Sequence, residues 1–216
     1  MTKHVLIVGA SRGIGLGLAE EFKSRGWDVT GTERSKSEDL HALEGVAVET
    51  LDVTDPSTFG NVAGEFDAVI VNAGITGAKH QSSEQATPDE VAEVMMTNAF
   101  GPAHLGKKLL PQIKQGGSLS FMSSLMGSIE DSSGGYELYR TSKTAQNMLA
   151  KGIAEQDASE RDVAVLSLHP GWVQTDMGGP NAHITVEESA KGLADVIENA
   201  SGGYAYVDYT GKALPF

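Results

Sequence analysis

Two side chains four residues apart, Tyr139 and Lys143, give the sequence its clearest means of moving a proton. On a helix, a rise of about 1.5 Å per residue stacks them on one face, about 6 Å apart along the axis. A free tyrosine ionises near about 10, and a neighbouring ammonium favours the phenolate, which makes proton exchange with a carbonyl or alcohol oxygen feasible nearer neutral pH. Tyr136 is a rival phenol, but the residue four further on is Arg140, whose guanidinium keeps its proton and is a poorer bridge between a phenol and neighbouring hydroxyls. Ser123 and Ser124 close an apolar run, where a hydroxyl can donate to a reacting carbonyl oxygen. A surface Tyr and Lys that merely share a helix face remain the plainer alternative.

A second chemical feature stands near the N-terminus. Gly9-Ala10-Ser11-Arg12-Gly13-Ile14-Gly15 follows an apolar run and opens an amphipathic stretch. Gly9 permits a sharp turn, Gly13 lets backbone approach a pyrophosphate, and Gly15 lets a helix pack on a strand, so that amides at the helix start face an anion. Taken alone, the turn is also consistent with an ordinary strand-to-helix connection.

The elements that must hold these residues alternate between short apolar runs and longer stretches of helical period, the pattern of βα units on a parallel sheet. Strands are expected at 3–8, 27–32, 46–51, 68–71, 118–123, 163–168 and 204–207. Helices are expected at 13–25, 38–43, 56–63, 88–114, 137–157 and 186–199. Thr87-Pro88-Asp89-Glu90 and Thr185-Val186-Glu187-Glu188 carry capping signals that fix two helix starts. The expected fold is α/β, one doubly wound domain over 1–216 with a seven-stranded, mostly parallel sheet and helices on both faces.

In this order and spacing the motifs resemble those of the short-chain dehydrogenase/reductase family, whose TGxxxGxG turn is matched with Val8 in place of Thr. Further matches are Leu51-Asp52-Val53, Asn72-Ala73-Gly74, Ser123-Ser124 before Gly127, Tyr139-x3-Lys143 and Pro170-Gly171-Trp172-Val173-x-Thr175. The resemblance implies a Rossmann-type fold and a catalytic set of Ser124, Tyr139, Lys143 and Asn98. Ser124 is preferred to Ser123 because the family's serine precedes the glycine by three, and Asn98 would hold water that relays protons to Lys143. It further implies a nucleotide held by Gly9, Ser11, Arg12, Gly13, Ile14, Gly15, Asp52, Val53, Asn72, Ala73 and Gly74. Tyr139 and Lys143 would also contact it, with Pro170, Gly171, Val173 and Thr175 placing its nicotinamide. Arg12 and Arg34 resemble the basic positions that grip the 2′-phosphate of NADP(H), while Glu33 sits where relatives that prefer NAD(H) keep an acid. NADP(H) is therefore favoured, with NAD(H) still open.

A closer similarity is to the small carbonyl reductases of the sniffer and C-factor group, in Ser167-Leu168-His169-Pro170-Gly171-Trp172, Thr175-Asp176-Met177-Gly178-Gly179 and Asp208-Tyr209-Thr210-Gly211-Lys212. It implies reduction of a small aldehyde or ketone, reversible to alcohol oxidation, and a possible homodimer or homotetramer. A nucleotide-binding regulatory protein and an epimerase or dehydratase are the competing readings, and fold alone does not separate them. The segment 176–185 is short and leaves little material for a lid, so an open cleft is expected.

Composition narrows partners. A formal net charge of −13 opposes a phosphate backbone, so no nucleic-acid partner is expected. The absence of cysteine and the scattered histidines argue against a metal site. No run is long and apolar enough for a membrane span, and the N-terminus reads as a strand rather than a signal peptide, so a cytoplasmic location is expected.

Overall fold

Seven strands form one sheet in the order β3-β2-β1-β4-β5-β6-β7 in a computed structural model describing residues 2–216. They are β1 (His4–Val8), β2 (Asp28–Glu33), β3 (Val46–Thr50), β4 (Phe66–Val71), β5 (Ile113–Met122), β6 (Ala164–His169) and β7 (Gly203–Asp208). Every neighbouring pair is parallel, so the sheet is more uniform than expected. The antiparallel component is an isolated bridge between Val207 and Ala213.

Parallel strands of this kind are covered on both faces, and β1 shows how. Val5 and Ile7 pack in one layer with Leu18 and Phe22 of α1 (Gly13–Ser24), Leu40 of α2 (Glu38–His41) and Leu193 of α6 (Val186–Glu198). Leu6 and Val8 face the opposite layer, with Leu105 and Leu109 of α4 (Gly101–Leu109) and Ile153 of α5 (Glu137–Ile153). Helix α3 (Pro88–Met95) packs against α5. The two threonine caps form as expected: Thr87 and Glu90 make a reciprocal capping box, and Thr185 accepts from the Glu188 amide. Arg25, at the end of α1, pairs with Glu21, Asp195 and Glu198 and so ties α1 to α6.

Several elements differ from expectation. The helix expected over 88–114 is broken into α3, a π-helical turn at Met96–Phe100 and α4, and a 3-10 turn at Leu110–Gln112 ends it. Pro102 has no N–H with which to bond the carbonyl four residues earlier, at Asn98, so a regular α-ladder cannot run through. Strand β5 accordingly begins at Ile113 rather than 118, with a register shift against β4 and Gly116 in the left-handed region at φ 74°. The expected helix over 56–63 is a 3-10 helix, Pro56–Asn61, and α5 passes into a π-helical turn at Ala154–Ala158.

Candidate active site

Strand order reverses between β1 and β4, and a crevice outside the carboxyl ends of those strands is where an open α/β sheet takes a ligand. The glycine turn lies there. The Gly9 amide donates to Thr32 Oγ1 (3.1 Å), and Asn72 Nδ2 donates to the Gly9 carbonyl (2.8 Å), so neighbouring strands fix the turn from both sides. A Cβ at Gly15 would stand 2.1 Å from the Gly9 oxygen, and one at Gly9 would stand 2.9 Å from the Ala73 nitrogen. Only bare backbone fits at either position. Helix α1, unlike α2, α3 and α6, has no side-chain cap and no acid in its first turn, which leaves its leading amides open to an anion. Gly15→Ala is expected to weaken dinucleotide binding more than tenfold, since the turn must open to admit the methyl. Fluorescence titration with NADPH checks this, and parental affinity would refute the packing argument.

Across the crevice, Thr175 comes to 3.4 Å from the Cβ position of Gly13, so the loop after Pro170-Gly171 lies over the glycine turn. Arg12 reaches into the same loop and pairs with Asp176 at 3.1 Å, both side chains being largely exposed. Ser189 Oγ donates to the Pro170 carbonyl (2.7 Å), and Val173 is buried with Ile184 as its bridge partner. Asp52 lies just past β3, where its Oδ1 accepts from Thr54 N (2.8 Å) and Oγ1 (2.7 Å); the Val53 carbonyl packs against Gly101, leaving no room for a Cβ there.

The sequence left Glu33 and Arg34 in competition over the nucleotide's ribose. In the structure Glu33 is buried, accepting from the Ser37 amide (2.6 Å) and pairing with His41 Nε2 (2.9 Å). Burial raises its pKa, and the His41 and Ser37 hydrogen bonds outweigh that and hold it below the ordinary glutamate value. Its carboxylate therefore braces the loop 34–37, whose Ser37 hydroxyl also donates to the Ser11 carbonyl (2.7 Å). Arg34 is exposed on that loop.

Tyr139, Lys143 and Ser124 converge beside this crevice. Ser124 stands just past β5, before a 3-10 turn at Leu125–Gly127 that packs on α5. Gly127 makes that approach possible, because a Cβ there would lie 3.0 Å from the Lys143 carbonyl carbon. Ser124 Oγ accepts from the Met126 amide (3.2 Å), which leaves its O–H to donate elsewhere. Lys143 Nζ lies 5.7 Å from the centre of the Tyr139 ring, donates to the Met122 carbonyl (2.7 Å), and is 3% exposed. Gly74 sits between the groups: its Cβ position is 3.3 Å from Asn98 Oδ1 and 3.5 Å from Lys143 Nζ.

The electrostatics differ from the sequence expectation. Burial pushes the Tyr139 phenol up to about 12, with a hydrogen bond to Ser124 pulling weakly the other way, and burial pulls Lys143 down to about 7. The ammonium does not make the resting phenol acidic. The phenol keeps its proton across neutral pH, and the lysine is the group that titrates there.

Asn98 is fully buried, with Oδ1 accepting from Ile75 N (2.8 Å) and Nδ2 donating to Ile75 O (2.7 Å) and Ser142 Oγ (3.0 Å). It clasps the loop after Asn72-Ala73-Gly74 to α5, and both its amide hydrogens are occupied. Sequence reasoning missed Gln81, whose main-chain carbonyl accepts from Glu137 N and whose Oε1 accepts from Tyr139 N (both 3.0 Å), so that it caps α5 from a distant loop. Its φ of 56° is a left-handed conformation that no local pattern announces.

Comparison with known proteins settles the family. The short chain dehydrogenase model matches residues 3–183. The chain belongs to the short-chain dehydrogenase family. This short-chain dehydrogenase is 35% identical over 158 residues to C-signal from Myxococcus xanthus, covering 71% of the chain and 94% of that protein. Among solved structures, a short-chain dehydrogenase/reductase from Burkholderia multivorans with bound NADP superposes with a TM-score of 0.94 at 35% identity over the full length of both chains. A carbonyl reductase from Pseudomonas aeruginosa PAO1 does so with a TM-score of 0.92 at 36% identity, again over both full lengths. The chain is thus an oxidoreductase on a Rossmann-like fold, similar to carbonyl reductases that include Sniffer of D. melanogaster (26% identity, TM-score 0.89). No helix of the described residues is long and apolar enough to cross a membrane.

Proposed function

We propose that this short-chain dehydrogenase is an NADPH-dependent carbonyl reductase that protonates an aldehyde or ketone oxygen from Tyr139. The observation that carries the reading is the meeting of Tyr139, Lys143 and Ser124 at the carboxyl end of the sheet, beside a glycine turn that only bare backbone can form. Relatives on the same fold include a carbonyl reductase solved with NADP.

The residues fit a dinucleotide. The uncapped start of α1 offers amides to the pyrophosphate at Gly13, Ile14 and Gly15, with Gly9, Ser11 and Arg12 in the turn. Asp52 and Val53 with Asn72, Ala73 and Gly74 would hold the adenosine side, and Pro170, Gly171, Val173 and Thr175 would hold the nicotinamide side. Arg34 is exposed, and the acid beside it is spent on Ser37 and His41, so the loop suits a 2′-phosphate better than a free ribose hydroxyl. When bound, the nicotinamide supplies the hydride. Ser124 donates to the substrate oxygen and polarises the bond. Tyr139, held protonated, gives its proton to that oxygen, and Lys143 in its charged form stabilises the phenolate left behind. Trp172 and Met177, 48% and 52% exposed, would supply an apolar wall for the substrate.

The test is loss of NADPH absorbance across a panel of aldehydes and ketones, with NADH in parallel. Turnover with NADPH at a kcat/KM at least tenfold above NADH is expected, and Arg34→Ala is expected to raise the KM for NADPH about tenfold while leaving that for NADH unchanged. No turnover with any carbonyl sinks the reading. Equal use of both cofactors sinks the assignment of Arg34.

A further inference from the structure

Strand β7 carries two tyrosines on one pleat, Tyr204 and Tyr206, directed at the helix layer behind the catalytic residues. Tyr206 is 3% exposed, and its hydroxyl donates to the main-chain carbonyl of Ser124 at 2.6 Å. That carbonyl also accepts from the Gly127 amide (2.8 Å), so two donors fix the peptide that carries the serine. Burial pushes the Tyr206 phenol up, and Asn147 and Tyr139 from α5, Tyr204 from its own strand and Asp131 from the loop after Gly127 lie near enough to act on its charge. Asn147 in turn accepts from Ser123 Oγ at 2.6 Å, so both serines at the end of β5 are tied into one buried polar cluster. The chain then doubles back. Leu214 N donates to the Tyr206 carbonyl (2.9 Å), the Phe216 ring lies 5.8 Å from the Tyr206 ring, and the Phe216 carbonyl accepts from Glu130 N (2.8 Å). The last residues thereby cover Tyr206 and clip the loop that follows Ser124.

We propose that Tyr206 is a positioning residue for the reaction, its hydroxyl holding the Ser124 peptide so that the Ser124 O–H points at the substrate oxygen rather than back into the protein. The inference rests on the carbonyl-reductase reading above. Tyr204 provides the contrast: its hydroxyl donates to Ser167 Oγ (3.0 Å) and the Asn147 carbonyl (3.3 Å), in the same cluster, but not to Ser124. An effect of general loosening would strike through either tyrosine. An effect of positioning strikes only through Tyr206, and only while the serine hydroxyl is present.

The experiment is steady-state kinetics with NADPH and the best aldehyde of the panel, on the parent, Tyr206→Phe, Tyr204→Phe, Ser124→Ala and the Tyr206→Phe/Ser124→Ala double variant. Tyr206→Phe is expected to lose about tenfold in kcat, with aldehyde KM and NADPH Kd within twofold of the parent, whereas Tyr204→Phe keeps the parental kcat even where its Tm falls. The Tyr206 effect is expected to vanish in the Ser124→Ala background. Parental kcat in Tyr206→Phe, an equal loss in Tyr204→Phe, or a further tenfold loss in the double variant overturns the proposal while leaving the reductase reading intact. A parent without turnover overturns both. Should Tyr206→Phe not fold, the same cycle is run with Phe216→Ala, which uncovers the Tyr206 ring without removing its hydroxyl. A smaller kcat loss that again disappears with Ser124→Ala is then expected, and none at all overturns the proposal.

Discussion

Tyr139→Phe is expected to lower kcat/KM for carbonyl reduction by about 10²–10⁴-fold while leaving NADPH affinity within a few fold of the parent. The ring stays, so the packing of α5 against the Leu125–Gly127 turn is preserved, and only the transferable proton is removed. The expected pH dependence follows from the burial of the two partners. Tyr139, pushed up to about 12, remains a competent acid throughout the neutral range. Lys143, pulled down to about 7, is the group that changes charge there, and it must be cationic to stabilise the phenolate formed on proton transfer. Parental kcat/KM, which reports the free enzyme, is therefore expected to fall as pH rises through about 7. A variant as fast as the parent would remove Tyr139 from the chemistry. A profile flat to pH 9 would remove the charge of Lys143 from it.

What could be read from the residues beforehand follows from how local each signal is. His4–Val8, Phe66–Val71 and Ala164–His169 were legible because buried parallel strands are near-continuous apolar runs, whereas Val46–Thr50, at the sheet edge and largely exposed, was read from its short β-branched run alone. The two capping threonines were legible for a similar reason, each bond spanning three residues. The break in the long helix was missed although its cause, Pro102, is plain in the sequence; the apolar period runs on through it. The role of Glu33 was not legible, since an acid at the end of β2 serves a ribose or a loop equally well, and only the Ser37 and His41 contacts decide. Gln81 and Tyr206 lay beyond reach altogether. They act 58 and 82 residues from the groups they hold, and neither belongs to a motif. The motif residues announce a chemistry, whereas the residues that aim them are set by tertiary contacts that no spacing encodes.

Lys143→Met should separate function from stability most sharply. Activity is expected to drop at least about 10²-fold, because the phenolate loses its cation. Stability is expected to move the other way. A lysine whose folded-state pKa is depressed from 10.5 to about 7 is bound to a proton in the unfolded chain but not in the native one between those values, so stability rises with pH across that window. As pH falls back through it, the cost of burying the cation accumulates, and it is complete below about 7. Methionine carries no such cost and fills a similar volume, though the Met122 carbonyl then loses the donor it has at 2.7 Å, a penalty of about 1 kcal/mol that offsets part of the gain. The net expectation is a variant more stable than the parent by about 1–4 kcal/mol at pH 6, the advantage shrinking steadily towards pH 10. Thermal unfolding of both proteins across that range measures it. A variant less stable at pH 6, or one whose advantage grows with pH, would mean that the lysine is not charged and buried at a cost, and that the site is not kept at the expense of the fold.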